Sequence, residues 1–385
     1  MQRNTLNKNE KNNDLSVVFT GDIAFSGYFK EKYADNEVVS SEIVKFMNDS
    51  DHVVANIECP ITDRKIDSDR ALNHVMNPKV VDLLQSMGID IWNIGNNHVL
   101  DCKLDGLKDT LECSQKANVR TIGAGINKRE AEKTLIIGNE VKVGIISVVK
   151  EWNHLKSNSN APGCIYFTDY ETIKKQVEYL RPKVNYIVAI VHGGDEFASM
   201  PMPYDRKNYI KLLDFGIDII VAHHPHVVQN YEIIKDKIIF YSLGNFIFDT
   251  DYQRIQKHSE YGILLKLHFG KNGYTWKYLP IFINRESNRI DVGECPKIFT
   301  NIDKKQYSNL WPIVAKQFTC NDKKAKEFKD PSSRKKSKLK IIKSYLGRYR
   351  HKKSFIVEVG GKILYPIKRC KKIDKELYSY VVEKM

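Results

Sequence analysis

Between residue 15 and about residue 285, short apolar runs rich in Val and Ile alternate with longer segments whose apolar positions recur at helical spacing. The runs LSVVFTGD, HVVANIE, DIWNIGNN, VKVGIISVVK, NYIVAIVHGGDE and DIIVAHH read as strands. The segments SEIVKFMNDS, PKVVDLLQSMG, DGLKDTLECSQKA, YETIKKQVEYLRP and DRKNYIKLLDFG read as helices between them. PKVVDLLQSMG has Pro in its first turn and Gly at its end, and Pro stops YETIKKQVEYLRP, as helix punctuation requires. Strands this continuously apolar are buried on both faces, so the pattern predicts buried sheets with helices outside. The later runs KDKIIFYSLGNF and YGILLKLHF, read as strands, have no helix between them, which predicts a mixed sheet or an antiparallel edge.

The polar residues fall at particular places in this pattern. Five runs, VVFTGD, VVANIE, IWNIGNNH, IVAIVHGGDE and IIVAHHPH, break off into Asp, Glu, Asn or His. In open α/β sheets ligands bind beyond the carboxyl ends of the strands, so these five ends are candidates for one shared site. Taken singly, Asp22, Glu58 and Asn97-His98 are ordinary cap and loop residues, and His192 is weakly suggestive. Only His223-His224-Pro225-His226 stands out, because imidazole is the commonest transition-metal ligand. Together they form an oxygen and nitrogen donor set that needs no thiolate and suits one or two divalent ions, Mn, Zn or Fe. Two such ions can activate water and hold the oxygens of a phosphoryl group.

Charge changes the picture only at the C-terminal end. The formal net charge is +14, but residues 321–385 alone carry 21 Lys and Arg against 7 Asp and Glu, which leaves 40 of each in the first 320 residues. The body is neutral, which argues against nucleic acid as its partner. The Lys-rich end reads as a mainly helical, solvated appendage, or as a basic arm making peripheral contact with an anionic membrane or polymer. Seven scattered Cys without a CxxC spacing argue against a disulfide framework and a zinc ribbon, and fit a reducing compartment. Residues 1–14 are polar and read as disordered; with no apolar signal region and no membrane-length apolar run, a cytoplasmic location is expected. GAG at Gly123–Gly125 lacks the further glycine of a dinucleotide fingerprint. SLGNF at Ser242–Phe246 forms either a tight turn or an anion cradle.

In order along residues 15–250, the motifs TGDIAF, ANIECPIT, NIGNNHVLDCKLDGLKDTLE, GAG, VHGGDEF, GIDIIVAHHPHVVQ and FYSLGNFIFD resemble the CapA family. These are the poly-γ-glutamate capsule-synthesis proteins of the calcineurin-like metallophosphoesterase superfamily. The resemblance implies a four-layer α/β/β/α sandwich over residues 15–320. It implies Asp22 as a first-metal ligand, Glu58 as the bridging carboxylate, Asn97, His192 and His224 on the second metal, and His226 on the first. His98 then protonates the leaving oxygen, Asp101 orients His98, and Glu196 and Asn245 are candidate substrate contacts. The superfamily usually begins Asp-x-His; here Ala24 stands where that His would be, so the first metal has few protein ligands. The implied function is a metal-dependent hydrolase acting on a phosphoester or anionic polymer in capsule production, alongside other capsule-synthesis proteins. The alternative is a non-catalytic scaffold that binds an anionic polymer.

Overall fold

The computed structural model describes residues 14–64, 74–312 and 314. Residues 1–13 of the expected disordered start and the basic appendage lie outside the described residues. The central strands form two sheets. The first runs in the order Arg289–Val292, Gly273–Asn284, Tyr261–Gly270, Leu15–Gly27, His52–Ile57, Ile91–Asn93, Arg120–Ile122. The second runs Tyr231–Ile234, Lys237–Phe240, Ile219–His223, Tyr186–His192, Val143–Val149, Leu135–Ile137. Leu15–Gly27 through Arg120–Ile122 in the first sheet and Lys237–Phe240 through Val143–Val149 in the second pair parallel, whereas the last three strands of the first sheet in chain order and the two edge strands of the second pair antiparallel.

Alternate side chains of the two sheets face each other. Val17, Phe19, Val54 and Ile91 from the first pack with Val143, Ile145, Val188, Ile190 and Val221 from the second in one apolar layer. The opposite faces carry helices. Ile43 and Met47 of Ser41–Asn48, Leu83 and Leu84 of Val80–Ser86, and Leu107 of Lys103–Lys116 cover the first sheet. Ile173 and Val177 of Tyr170–Leu180 and Leu212 and Leu213 of Pro203–Asp214 cover the second. The result is the four-layer α/β/β/α sandwich expected from the sequence, and all five expected helices form. One polar residue ties the layers: Lys266, 2% exposed in mid-strand, donates from Nζ to the carbonyls of Phe46 and Asp49. A buried cation thus satisfies carbonyls at the C-terminal end of helix Ser41–Asn48, where no helical donor remains. Among the described residues no helix is long and apolar enough to cross a membrane.

Two strand readings need correction, and both concern the site. KDKIIFYSLGNF is not one strand: Lys237–Phe240 belongs to the second sheet and Asn245–Asp249 to the first. The chain crosses at Tyr241–Gly244, where Gly244 takes φ +72 and a Cβ would lie 2.6 Å from the Tyr261 carbonyl oxygen. Apolar content cannot reveal this break, because both halves are buried. The first strand, in turn, does not end at Asp22 but continues to Gly27 with register irregularities at Asp22 and Ile23. There Asn245–Asp249 takes the place beside it that Tyr261–Gly270 holds earlier in the strand. Irregularities of this kind re-aim a side chain, here Asp22.

The tightest backbone approach is at Gly262, where a Cβ would sit 1.9 Å from the Asn245 carbonyl oxygen. Gly262→Ala is expected to destabilise the protein by about 3 kcal/mol or more, read as a lower urea midpoint at unchanged slope. Gly273→Ala, with nothing within 4 Å of the added carbon, is the control and should leave the midpoint within about 0.5 kcal/mol of wild type.

Candidate metal centre

The carboxyl ends of the parallel strands from both sheets meet at one place. Ile91–Asn93, Tyr186–His192 and Ile219–His223 each end in a polar residue, and Glu58 follows His52–Ile57 directly. His192 and His223 are register partners on neighbouring strands, which sets His224 beside His192 with ring centroids 5.0 Å apart. His224 (φ +98) and His226 (φ +56) both lie in the left-handed region on either side of Pro225. Such backbone is uncommon for a β-branch-free, non-glycine residue and persists only where the surroundings impose it.

Asp22, Glu58 and His192 are fully buried, and His224 and His226 are each 5% exposed. Two groups of three donors emerge, Asp22, Glu58 and His192 in one, and Glu58, His224 and His226 in the other; within each the donor atoms lie within 4.8 Å of one another. Glu58 is common to both. The resemblance divides the donors differently, Asp22 with His226 and His192 with His224. The spacing is close enough for that division as well on the His226 side: its Nδ1 is 3.3 Å from Asp22 Oδ2 and its Nε2 is 3.6 Å from Glu58 Oε1. Asn97 joins through Oδ1, 2.7 Å from His192 Nε2. Ala24 is fully buried in the apolar layer beneath the helices and offers no donor.

The electrostatics are lopsided. Burial alone would raise the Asp22 carboxyl, but the hydrogen bond and charge of His226, with His223 and His192 nearby, hold it well below the usual carboxylate range. Burial and the Asp22 charge push Glu58 well above it. Burial drives His192 far down and His224 down to about 4; at His226 burial is outweighed only by the hydrogen bond and charge of Asp22, the Glu196 charge and the Asn245 hydrogen bond together, which raise it. Both oxygens of Glu58 and Nδ1 of His224 are buried with no hydrogen-bond partner. A buried acceptor left unpaired costs about 1–3 kcal/mol, more for a charged one. Neutral imidazoles beside unpaired carboxylate oxygens are what a divalent cation requires, so the donor set fits such an ion.

Next to Asn97, His98 Nδ1 lies 2.7 Å from Asp101 Oδ2, with side-chain exposures of 13% and 3%. The Asp101 contact occupies Nδ1 and leaves Nε2 as the nitrogen able to exchange a proton. Glu196 accepts from the Tyr252 hydroxyl at 2.9 Å. Asn245 is fully buried; its Oδ1 is 2.9 Å from His226 Nδ1, and its Nδ2 donates to the Ser259 carbonyl at 3.0 Å. It holds His226 in place from beneath. His223 turns away from the other two, its Nε2 2.9 Å from the Thr20 carbonyl oxygen.

Sequence reasoning missed a buried relay behind the site. Asn56 Nδ2 donates to Asp22 Oδ1 at 2.7 Å, Asn93 Nδ2 to Asn56 Oδ1 at 2.8 Å, and Ser147 Oγ to Asn93 Oδ1 at 2.6 Å. It runs from Asp22 through the first sheet into the second. The signal was an Asn inside each of the apolar runs VVANIE and IWNIG, since an amide buried in a strand demands partners. Trp152, whose ring lies 5.0 Å from that of His224, and His74, 4.7 Å from His98, had no comparable signal.

Residues 16–250 match the family described as bacterial capsule synthesis protein PGA_cap. The chain is similar to the PGA biosynthesis protein CapA of Bacillus subtilis (strain 168), at 30% identity over 67% of this chain and 69% of that one. It is similar also to the capsule biosynthesis protein CapA of Bacillus anthracis, at 28% identity over 69% of this chain and 66% of that one, just under two thirds of its length. A solved 5'-nucleotidase from Candida albicans SC5314 aligns with a TM-score of 0.40 and 12% identity, over 73% of this chain and 54% of that one. With its motifs in family order and the family match spanning most of the two-sheet body, the chain belongs to the CapA family of bacterial capsule synthesis proteins.

Proposed function

We propose that this protein is a metal-dependent hydrolase of phosphoester type that acts in the synthesis of poly-γ-glutamate or a related anionic surface polymer. The observation that carries the reading is Glu58, a buried carboxylate with no hydrogen-bond partner that belongs to both donor groups. The capsule assignment is supported by what the Bacillus relatives are named for. Asp22, Glu58, Asn97, His192, His224 and His226 would hold one or two divalent ions, Mn, Zn or Fe. Such ions polarise a phosphoryl oxygen and make water acidic enough to attack near neutral pH.

The chain's own residues do the rest. Asn56 and Asn245 hold Asp22 and His226 in orientation. His98, held through Nδ1 by Asp101, delivers a proton from Nε2 to the leaving oxygen. Trp152, ring to ring with His224 and His192, forms one wall of the site. Glu196, which accepts from the Tyr252 hydroxyl, is with Asn245 a candidate substrate contact. Ala24 gives a specific reason to weigh a second reading, a scaffold that binds anionic polymer without turnover, because it leaves one cation with a thin ligand set. In either reading the basic stretch 321–385 is a candidate arm for anionic polymer, membrane or other capsule-synthesis proteins.

Metal loading tests the site. Adding Mn or Zn to metal-free protein at about 100 times the dissociation constant should stabilise it by about 2.7 kcal/mol, read by thermal melting. Glu58→Gln should lose most of that gain; a full gain in this variant places the cation elsewhere. The metal-free protein should lose stability as pH falls below about 6.5. His74, His192, His223 and His224 are held neutral when folded and take up protons on unfolding, which outweighs the opposite contributions of His226 and Glu58. For His224 this loss extends down to about pH 4.

Activity separates the two readings. Manganese-loaded protein is expected to hydrolyse bis(p-nitrophenyl) phosphate and diphenyl phosphate, with His98→Ala about 10²–10⁴-fold slower on diphenyl phosphate, whose leaving group needs the acid, at unchanged metal content. His224→Ala should lose both metal and activity. Full metal occupancy without turnover above the manganese blank would establish the scaffold reading instead.

A further inference from the structure

Outside the expected ligand set lies one imidazole with a placement of its own. His74 meets the candidate proton donor twice. Its backbone N–H donates to Asp101 Oδ2 at 2.8 Å, the same oxygen that lies 2.7 Å from His98 Nδ1. Its ring stands edge-on to the His98 ring, with centroids 4.7 Å apart and planes at 68°. On another side the His74 ring meets Phe248 at 5.0 Å and 87°, and Phe248 in turn meets His226 at 5.1 Å and 87°. Four rings therefore run in sequence, His98, His74, Phe248 and His226, from the proton donor to the donor cluster. Phe248 sits on the strand Asn245–Asp249, which pairs directly with the strand carrying Asp22.

From this geometry we propose that His74 is a positioning residue: it fixes the plane of the His98 ring and registers it against the His226 side of the metal centre. A single hydrogen bond at Nδ1 fixes one point of an imidazole and leaves the ring free to pivot about that bond. The edge-to-face contact removes the pivot, and the ring-to-ring path through Phe248 refers it to the frame that holds Asp22 and His226. A proton donor must meet the leaving oxygen along one direction, and a displacement of about an ångström costs up to about a hundredfold. Edge-to-face rings suit this task, because their contact depends on orientation as well as distance. The backbone half of the arrangement survives substitution at residue 74, so side-chain variants isolate the ring contact.

The inference rests on the hydrolase reading for its consequence in catalysis, though not for the contact itself. The test compares wild type, His74→Ala and His74→Phe, each loaded with manganese, on two phosphodiesters that differ in leaving group. Bis(p-nitrophenyl) phosphate releases a phenolate that needs little help from an acid; diphenyl phosphate releases one that needs more. For His74→Ala the expected loss of kcat is on the order of tenfold on diphenyl phosphate and about twofold or less on the nitrophenyl ester. KM and bound metal should be unchanged. His74→Phe, which keeps an aromatic edge, should recover most of the loss. In metal-free protein the His98 Hε1 proton resonance should move in His74→Ala and return toward its wild-type position in His74→Phe.

Equal losses on both esters would overturn the proposal in favour of a space-filling ring. Loss of a metal equivalent from His74→Ala would overturn it by making His74 a ligand. An unmoved His98 resonance would remove the contact itself. If the wild-type protein turns over neither ester, the hydrolase reading fails, and the resonance still decides whether His74 orients His98.

Discussion

His226 stands between two buried carboxylates, 3.3 Å from Asp22 and 3.6 Å from Glu58, and the site is organised by what that arrangement demands. Two like charges this close, in a place shut off from water, are strongly penalised unless positive charge joins them. The protein meets the demand unequally. Asp22 is satisfied from the protein itself, by Asn56, by the His224 backbone N–H at 3.3 Å and by His226. Glu58 receives no such donor. The opposite displacements of the two carboxyls, one far below and one far above the ordinary range, express the same inequality. A fold optimised only for stability would not leave a fully buried carboxylate without partners. An arrangement completed by a cation explains why this one does.

The relay Asp22–Asn56–Asn93–Ser147 then explains why the site needs both sheets. Its members come from three neighbouring strands of the first sheet and one of the second, all fully or nearly fully buried. In a low-dielectric interior such a chain is rigid when complete and costly when broken. Asp22 is thereby referenced to the second sheet, which supplies His192, His224 and His226. The strained backbone of His224 and His226 serves the same end. Left-handed conformations at non-glycine residues cost on the order of 1–3 kcal/mol each, and here the cost falls at the two residues whose rings must converge.

Much of this was legible in the sequence, for reasons that are physical. Helices were readable because a single apolar stripe must face the sheet, as with Ile43 and Met47 or Ile173 and Val177. Parallel strands were readable as continuous apolar runs, and their polar ends as a shared site, because the topology places ligands there. The crossing at Tyr241–Gly244 was not readable: the core lies on both sides of it, so hydrophobicity is unbroken while the chain changes sheets. The irregularity at Asp22 was hidden similarly, since Ile23, Ala24 and Phe25 continue the apolar run. Asn245, a candidate substrate contact, also supports His226 from a wholly buried position beside Ser259, and that support is tertiary packing with no local sequence pattern.

Residues that act through other residues were the hardest to read. The His224-Pro225-His226 cluster announces itself because its chemistry is carried by residue type and spacing; His98 and Asp101 are picked out only through the family resemblance. Asn56, Asn93, Ser147 and His74 carry theirs through what they touch, and a contact between residues 24 or 54 positions apart leaves no local pattern. This has a consequence for how the centre tolerates the missing imidazole at Ala24. A ligand lost from the first strand removes one donor, but the relay behind Asp22, the Asn245 support under His226 and the ring contacts through Phe248 all remain. The geometry of the remaining donors is fixed from behind rather than by the absent one. Supporting contacts of this kind weigh nearly as much as the ligands they orient, because a donor held in place has already lost the rotamer freedom that binding would otherwise remove.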